Sequence, residues 1–173
     1  GVEVFKGPAA TRFGPQTVGG AINLLPRRAP VGLDYGLDLA GGQYRSGKAA
    51  GYLGFGDERA GLLIDAAQLS TAGFKELDGG GPTGFQRGEM MVKGRLRLGA
   101  EGVLELKLGL SDETSHETYL GLSASDYAED PLRRYAASAN DLMRWTRTQA
   151  ELSWSAPLGE QVVTRTVLYH HYL

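Results

Sequence analysis

The apolar residues of this chain fall into short alternating runs rather than helical stripes. In Val103–Leu110, Leu104, Leu106, Leu108 and Leu110 share one face, with Glu105, Lys107 and Gly109 opposite. Val92–Gly99 sets Lys93, Arg95 and Arg97 against Val92, Gly94, Leu96 and Leu98. Leu33, Tyr35, Leu37 and Leu39 alternate with Asp34, Gly36 and Asp38, and Thr148, Ala150, Leu152 and Trp154 with Gln149, Glu151 and Ser153. A period of two puts successive side chains on opposite faces of a strand. The pattern predicts strands near 31–40, 48–56, 60–70, 88–99, 103–112, 144–156 and 161–173. Residues 1–30 have a different texture: short extended pieces, "VEVFKG" and "AINLL", separated by Gly and Pro turns.

The connections carry a second pattern. After the ambiguous "GGQYRSG", they alternate between short and long: "GDER", a loop over 71–87, "GAEG", a loop over 113–143, then "PLGE". In an up-and-down sheet every second connection lies at the same end. All long loops therefore share one end and all tight turns the other, as in outer-membrane barrels with short periplasmic turns and longer external loops. The turns near 57–59, 100–102 and 157–160 are expected on the periplasmic side, and the lipid-facing set is expected to include Leu106 and Leu108, with Lys107 and Arg95 inside. Trp145 and Trp154 stand at opposite ends of one predicted strand, roughly 20 Å apart along a tilted strand. Their parity differs, so at most one of them faces lipid.

Inside the longer loop, "EDPLRRYAASANDLMRW" predicts a helix. Asp130 would cap it, Pro131 would take its first position, and Leu132, Tyr135, Ala136, Ala139, Leu142 and Met143 follow helical spacing. Just before it, Ser123–Asp126 has the form of a small capping box.

Composition narrows the class. The chain has 173 residues, with 18 Lys plus Arg against 20 Asp plus Glu, so it lacks the basic excess of a nucleic-acid binder. It has no cysteine, which removes disulfides, cysteine-ligated zinc and cysteine nucleophiles. Its 26 glycines argue against a helical bundle. No apolar run reaches the length of a membrane helix, but barrel strands never produce one.

Candidate chemistry is sparse. Gly42–Ala49, "GQYRSGKA", nearly fits a phosphate-binding loop, but Ala49 stands where the hydroxyl belongs and no helix follows. The adjacent His170 and His171 point to opposite faces of a strand and cannot chelate one ion together. Glu113, His116 and Glu117 are metal-ligand types on a loop without a partner site. Glu129 and Asp130 fit solvent-facing cap residues better than a catalytic pair. No catalytic set, metal site or cofactor motif stands out, so an enzyme is not expected.

The opening stretch, "VEVFKGPAATRFGPQTVGGAINLLPRRAP", resembles the plug-domain end of TonB-dependent outer-membrane transporters. The matching positions are Val2–Pro8, Phe13–Gly14, Gly19–Asn23 and the basic-Pro exit Pro26–Pro30. "RFGPQTVGGAIN" (Arg12–Asn23) and "ETYLGLSASDYAEDPLRRYAAS" (Glu117–Ser138) look most like the ferric-citrate-receptor branch.

The resemblance implies an all-β chain that is a fragment of an antiparallel transmembrane barrel of about 22 strands. Residues 1–30 would be the end of the plug and 31–173 the first barrel strands, about seven in number. It implies plug-motif roles for Lys6, Gly7, Pro8, Gly14, Gly19, Gly20 and Asn23. It further implies the outer membrane of a Gram-negative cell, contact with its lipid, and energising by TonB through a segment absent here. The cargo would be a ferric siderophore or ferric citrate, with cobalamin or a glycan as other ligands. Arg12, Gln16, Tyr119, Arg133, Arg134 and Tyr135 are the candidate ligand residues. Arg is suited to carboxylates because its planar fork makes two parallel hydrogen bonds. Arg133 and Arg134 would equally serve to hold the loop through Glu129, Asp130 or Asp126, and Arg12 and Gln16 to pack against the barrel wall. A soluble β-rich binding domain and an outer-membrane enzyme are the other classes.

Overall fold

A computed structural model describes residues 1–7, 19–99, 101–159 and 161–173. Arg12 and Gln16, and the motif residues Pro8 and Gly14, lie outside the described residues. The strands are β1 (Val2–Lys6), β2 (Gly20–Leu24), β3 (Gly32–Gly42), β4 (Ser46–Gly56), β5 (Ala60–Thr71), β6 (Glu76–Leu77), β7 (Phe85–Leu98), β8 (Gly102–Ser115), β9 (Arg133–Arg134), β10 (Met143–Pro157) and β11 (Val163–Tyr172). One helix, α1 (Ala124–Glu129), and a 3-10 turn at Ala136–Ser138 lie between β8 and β10.

The long strands form one 7-stranded antiparallel sheet in the order β11-β10-β8-β7-β5-β4-β3. Each alternating run of the sequence becomes one of these strands; most extend a few residues farther toward the long loops, while the last shortens from 161–173 to Val163–Tyr172. Each runs beside the one before it in chain order, so the turns after β4, β7 and β10 gather at one end and the two long loops at the other. The first connection is a three-residue turn at the long-loop end, closed by Ser46 N–H donating to the Gln43 carbonyl at 3.0 Å. Tyr44 and Arg45 both adopt left-handed backbone there, with φ of 57° and 50°.

Cross-strand partners share a face, so the register assigns every side chain. One rung reads Leu33, Phe55, Leu62, Gly94, Leu106, Leu152 and Leu168, and the next Tyr35, Leu53, Ile64, Val92, Leu108, Ala150 and His170. Trp154 lies on this face opposite Leu104, toward the tight turns. The other face carries Asp34, Lys48, Asp65, Arg87, Lys93, Arg95, Lys107, Glu113, Arg147 and Glu151. Among the described residues of the seven strands, the charged side chains on the apolar face are Asp112 and Arg144. Trp145 belongs to the polar face, beneath the Arg87 guanidinium at 5.6 Å. His170 and His171 fall on opposite faces, and the His171 ring lies tilted beside that of Tyr169, with centroids 5.6 Å apart.

Among the described residues, nothing covers the apolar face. Leu33, Tyr35, Leu37 and Leu39 are each about two-thirds exposed or more. The best-buried apolar side chain, Leu63 at 1% exposure, lies on the polar face. What covers it is the segment leading into β3. Pro30 lies against Leu63 over Gly54, where a Cβ would sit 2.6 Å from Pro30 Cδ. Arg27 stacks on Tyr52 at 3.6 Å, its carbonyl accepts from Lys93 Nζ at 2.8 Å, and Tyr52 Oη donates to Asp34 at 3.0 Å.

β1 and β2 form a separate antiparallel pair, with Val2 opposite Leu24 and Lys6 opposite Gly20. Asn23 Nδ2 donates to Glu3 across this pair at 2.8 Å. A Cβ at Gly20 would meet the Phe5 carbonyl oxygen at 2.6 Å, and Gly7 follows β1 with φ of 61°. The "VEV" and "GGAIN" pieces of the sequence are thus the two sides of one hairpin.

The loop-helix expectation needs correction. α1 begins where Ser123 caps it, its Oγ accepting from Asp126 N at 3.1 Å, as the capping box predicts. No helix starts at Asp130. That residue is the C-cap of α1, extended at φ −146° because a proline follows. The Asp-Pro pair stops a helix here rather than opening one. Residues 133–134 are extended because β9 pairs in parallel with β6 of the other long loop.

Candidate ligand-facing loop assembly

The two long loops meet as a single body. Glu76 N–H donates to the Leu132 carbonyl and Asp78 N–H to that of Arg134, both at 2.8 Å, and Lys75 Nζ reaches the Pro131 carbonyl at 2.6 Å. Residues 55 or more apart in sequence are thereby locked together.

Arg133 and Arg134 are neighbours on an extended segment, so they project oppositely. Arg133 takes the Asp78 carboxylate in a two-pronged grip, Nε to Oδ1 at 3.0 Å and Nη2 to Oδ2 at 3.0 Å. Asp126 lies 3.5 Å from its Nη1, and the guanidinium sits 5.2 Å from the Tyr135 ring centroid. The hydrogen bonds it donates to Asp78, then the charge of that carboxylate, hold the Arg133 pKa above its ordinary value. Arg134 turns inward and is 5% exposed. Its Nε donates to Ser138 Oγ at 2.8 Å, Nη2 to the Ser138 carbonyl at 2.7 Å, and Nη1 to the His116 carbonyl. Among the described residues, no buried side-chain polar atom is left without a partner.

Tyr135 Oη donates to Asp126 and accepts from Ser123 N–H at 3.0 Å. Ser123 Oγ donates to the same carboxylate at 2.8 Å. The Tyr135 bond first, and the Ser123 Oγ bond second, hold the Asp126 carboxyl below the usual range. Tyr119 is fully exposed and stands apart from this network. Of the sequence-derived candidates, the structure therefore brings Arg133, Arg134 and Tyr135 together. Sequence reading missed Asp78 as the main partner of Arg133, since nothing local marks a contact between two loops.

Around Arg133 opens a shallow cleft of about 310 Å³, lined by Glu76, Leu77, Asp78, Asp126, Glu129 and Asp130. Its carboxylates outnumber its one guanidinium, so a free anion is repelled unless Arg133 exchanges Asp78 for it. Among the described residues, no three or more His, Asp or Glu side chains are arranged to hold a metal ion. No helix is long and apolar enough to cross a membrane, a statement that does not bear on strands.

No protein-family model matches the chain, and no curated protein does. Among solved structures it is similar to a copper transporter, OprC, with a TM-score of 0.67 and 17% identity. The alignment covers 98% of this chain and 24% of that one. At such identity the likeness is one of fold: the chain has the architecture of about a quarter of a transport protein's length.

Proposed function

We propose that the chain is the plug end and first barrel strands of a TonB-dependent outer-membrane receptor of a Gram-negative cell. Residues 1–30 would close the plug and 31–173 open a barrel of about 22 strands. The observation that carries this reading is the division of the sheet. Charged residues crowd one face, the other carries a broad apolar band with only Asp112 and Arg144 charged among the described strands, and the segment into β3 is pressed onto the charged face. A lipid-facing wall around a polar, plugged lumen has that distribution. The motif residues Lys6, Gly7, Gly19, Gly20 and Asn23, with Pro8 and Gly14, would shape the plug end.

The cargo would be a ferric siderophore or ferric citrate, moved without covalent chemistry when the TonB system displaces the plug. The loops 72–84 and 116–142 would stand outside the cell as one unit. In this reading Arg133, with Tyr135 beneath it, gives up Asp78 to grip a chelate carboxylate. Arg134 holds the loop in shape, Tyr119 meets the ligand from an exposed position, and Arg12 and Gln16 approach it from the plug.

Growth of a deletion strain on single iron sources tests the proposal. Loss of growth on ferric citrate or one siderophore, restored by the full-length gene, is the expected result. Unchanged iron uptake with impaired copper uptake would replace the cargo. A full-length protein absent from outer-membrane fractions would overturn the reading altogether.

A further inference from the structure

The outward face of the sheet changes character at its long-loop end. Below it run the apolar rungs of Leu106, Leu108 and Leu110. Above them, Ser70, Gln86, Thr114 and Arg144 are successive cross-strand partners on one polar rung. His116 continues the ladder past β8, its N–H donating to the Gly84 carbonyl at 3.0 Å.

A cleft of about 570 Å³ opens at this rim. Arg45, Gln86, Thr114 and His116 line it, and Gly81 and Pro82 of the loop over 72–84 close one side. No carboxylate lines it, whereas the cleft around Arg133 is mostly carboxylates. Among the described residues, the side chains of Arg45, Gln86, Thr114 and Arg144 have no hydrogen-bond or ion-pair partner. Arg45 is moreover held there by a turn that puts two consecutive non-glycine residues in left-handed backbone, where Asn-Gly is the ordinary choice. Backbone strain of this kind persists where the structure uses it.

We infer that this rim is a binding site for the phosphate group of a membrane lipid. Arg45 and Arg144 supply charge, Gln86, Thr114 and His116 supply hydrogen bonds, and the apolar rungs below receive the acyl chains. Guanidinium groups match phosphate oxygens in geometry as well as charge. Asp112, one rung lower on the same strand as Thr114, opposes the anion and limits its depth. The inference rests on the membrane-spanning reading above.

The test uses the full-length transporter in detergent, with phosphatidic acid and phosphatidylcholine as probes and native mass spectrometry as readout. Wild type should retain phosphatidic acid preferentially. The Arg45→Ala/Arg144→Ala double variant should lose that preference roughly tenfold while keeping the mobility of a folded barrel. Asp112→Asn should strengthen retention. Equal retention by wild type and the double variant overturns the inference. So does saturable binding of inorganic phosphate with no preference between the two lipids, which would make this a free-phosphate site. A protein that stays soluble without detergent would instead overturn the membrane reading on which the site depends.

Discussion

Arg133 reaches out of one long loop and closes on the carboxylate of Asp78 in the other, with three nitrogen–oxygen contacts of 3.0 to 3.1 Å. The pair joins loops that the sequence separates by an entire hairpin. It also decides what Arg133 is free to do, since a ligand carboxylate must take the place that Asp78 holds.

Arg133→Ala should therefore loosen both loops. The pair is about one-third exposed, so solvent screening keeps its worth small. Hydrogen exchange at 75–80 and 130–135 should quicken about fivefold. If Arg133 also grips cargo, ferric-chelate affinity should fall further than this loosening accounts for, and Asp78→Asn should raise it. Affinity unchanged in both variants would leave Arg133 as a loop tie alone.

Arg134→Ala should behave differently. Its removal strands the carbonyls of His116 and Ser138 in a closed setting, at a cost on the order of 2–3 kcal/mol. The segment 116–138 should become sensitive to protease while the seven long strands stay resistant. An intact loop in this variant would contradict the structural role given to Arg134.

The faces of the sheet are tested at adjacent residues. Leu106→Arg puts a charge on the apolar wall, costing about 2–4 kcal/mol at a bilayer midplane. Lys107→Arg keeps a charge on the polar face and should be nearly silent. Folding into lipid vesicles, followed by gel mobility, separates the two. Comparable losses would mean that the faces are reversed or that neither meets lipid.

How far the sequence announces all this depends on the range of the forces involved. The seven long strands are legible because each carries its own alternation, and parity then sorts Leu106 from Lys107 without any knowledge of neighbours. The Ser123 cap is legible because its partner, Asp126, is three residues away. β6 and β9 are not, since two-residue strands have no period and exist only because the loops meet. Asp130-Pro131 misleads because the same dipeptide both opens and stops helices. The burial of Arg134 between Ser138 and the His116 carbonyl decides in favour of an extended chain. The rim site at Arg45 and Arg144 escapes sequence reading for a similar reason, as ninety-odd residues separate its two cations.

The loop network should also be unusually resistant to acid. Asp126 is held below the usual carboxyl range by Tyr135 and then Ser123. A depressed folded pKa gives stability that is present above the unfolded value and lost as pH falls through the folded one. Protection of amides 123–135 should thus persist through pH of about 3.9, the ordinary Asp value, and fail only below it. Tyr135→Phe should move that failure upward. A transition at the ordinary value in wild type would show that the Tyr135 bond contributes nothing.

The clasp of the segment 27–30 on the sheet has a mechanical meaning. A pull on the N-terminal hairpin meets Tyr52, Leu63 and Lys93 on three neighbouring strands before it arrives at the first rung of β3. Among the described strands β3 has one neighbour only, and an edge strand tugged from its end peels away bond by bond. Anchoring the tether one step inboard spreads the tension across three strands, so that a pull is met by a fixed cleat and not by the edge of the sheet.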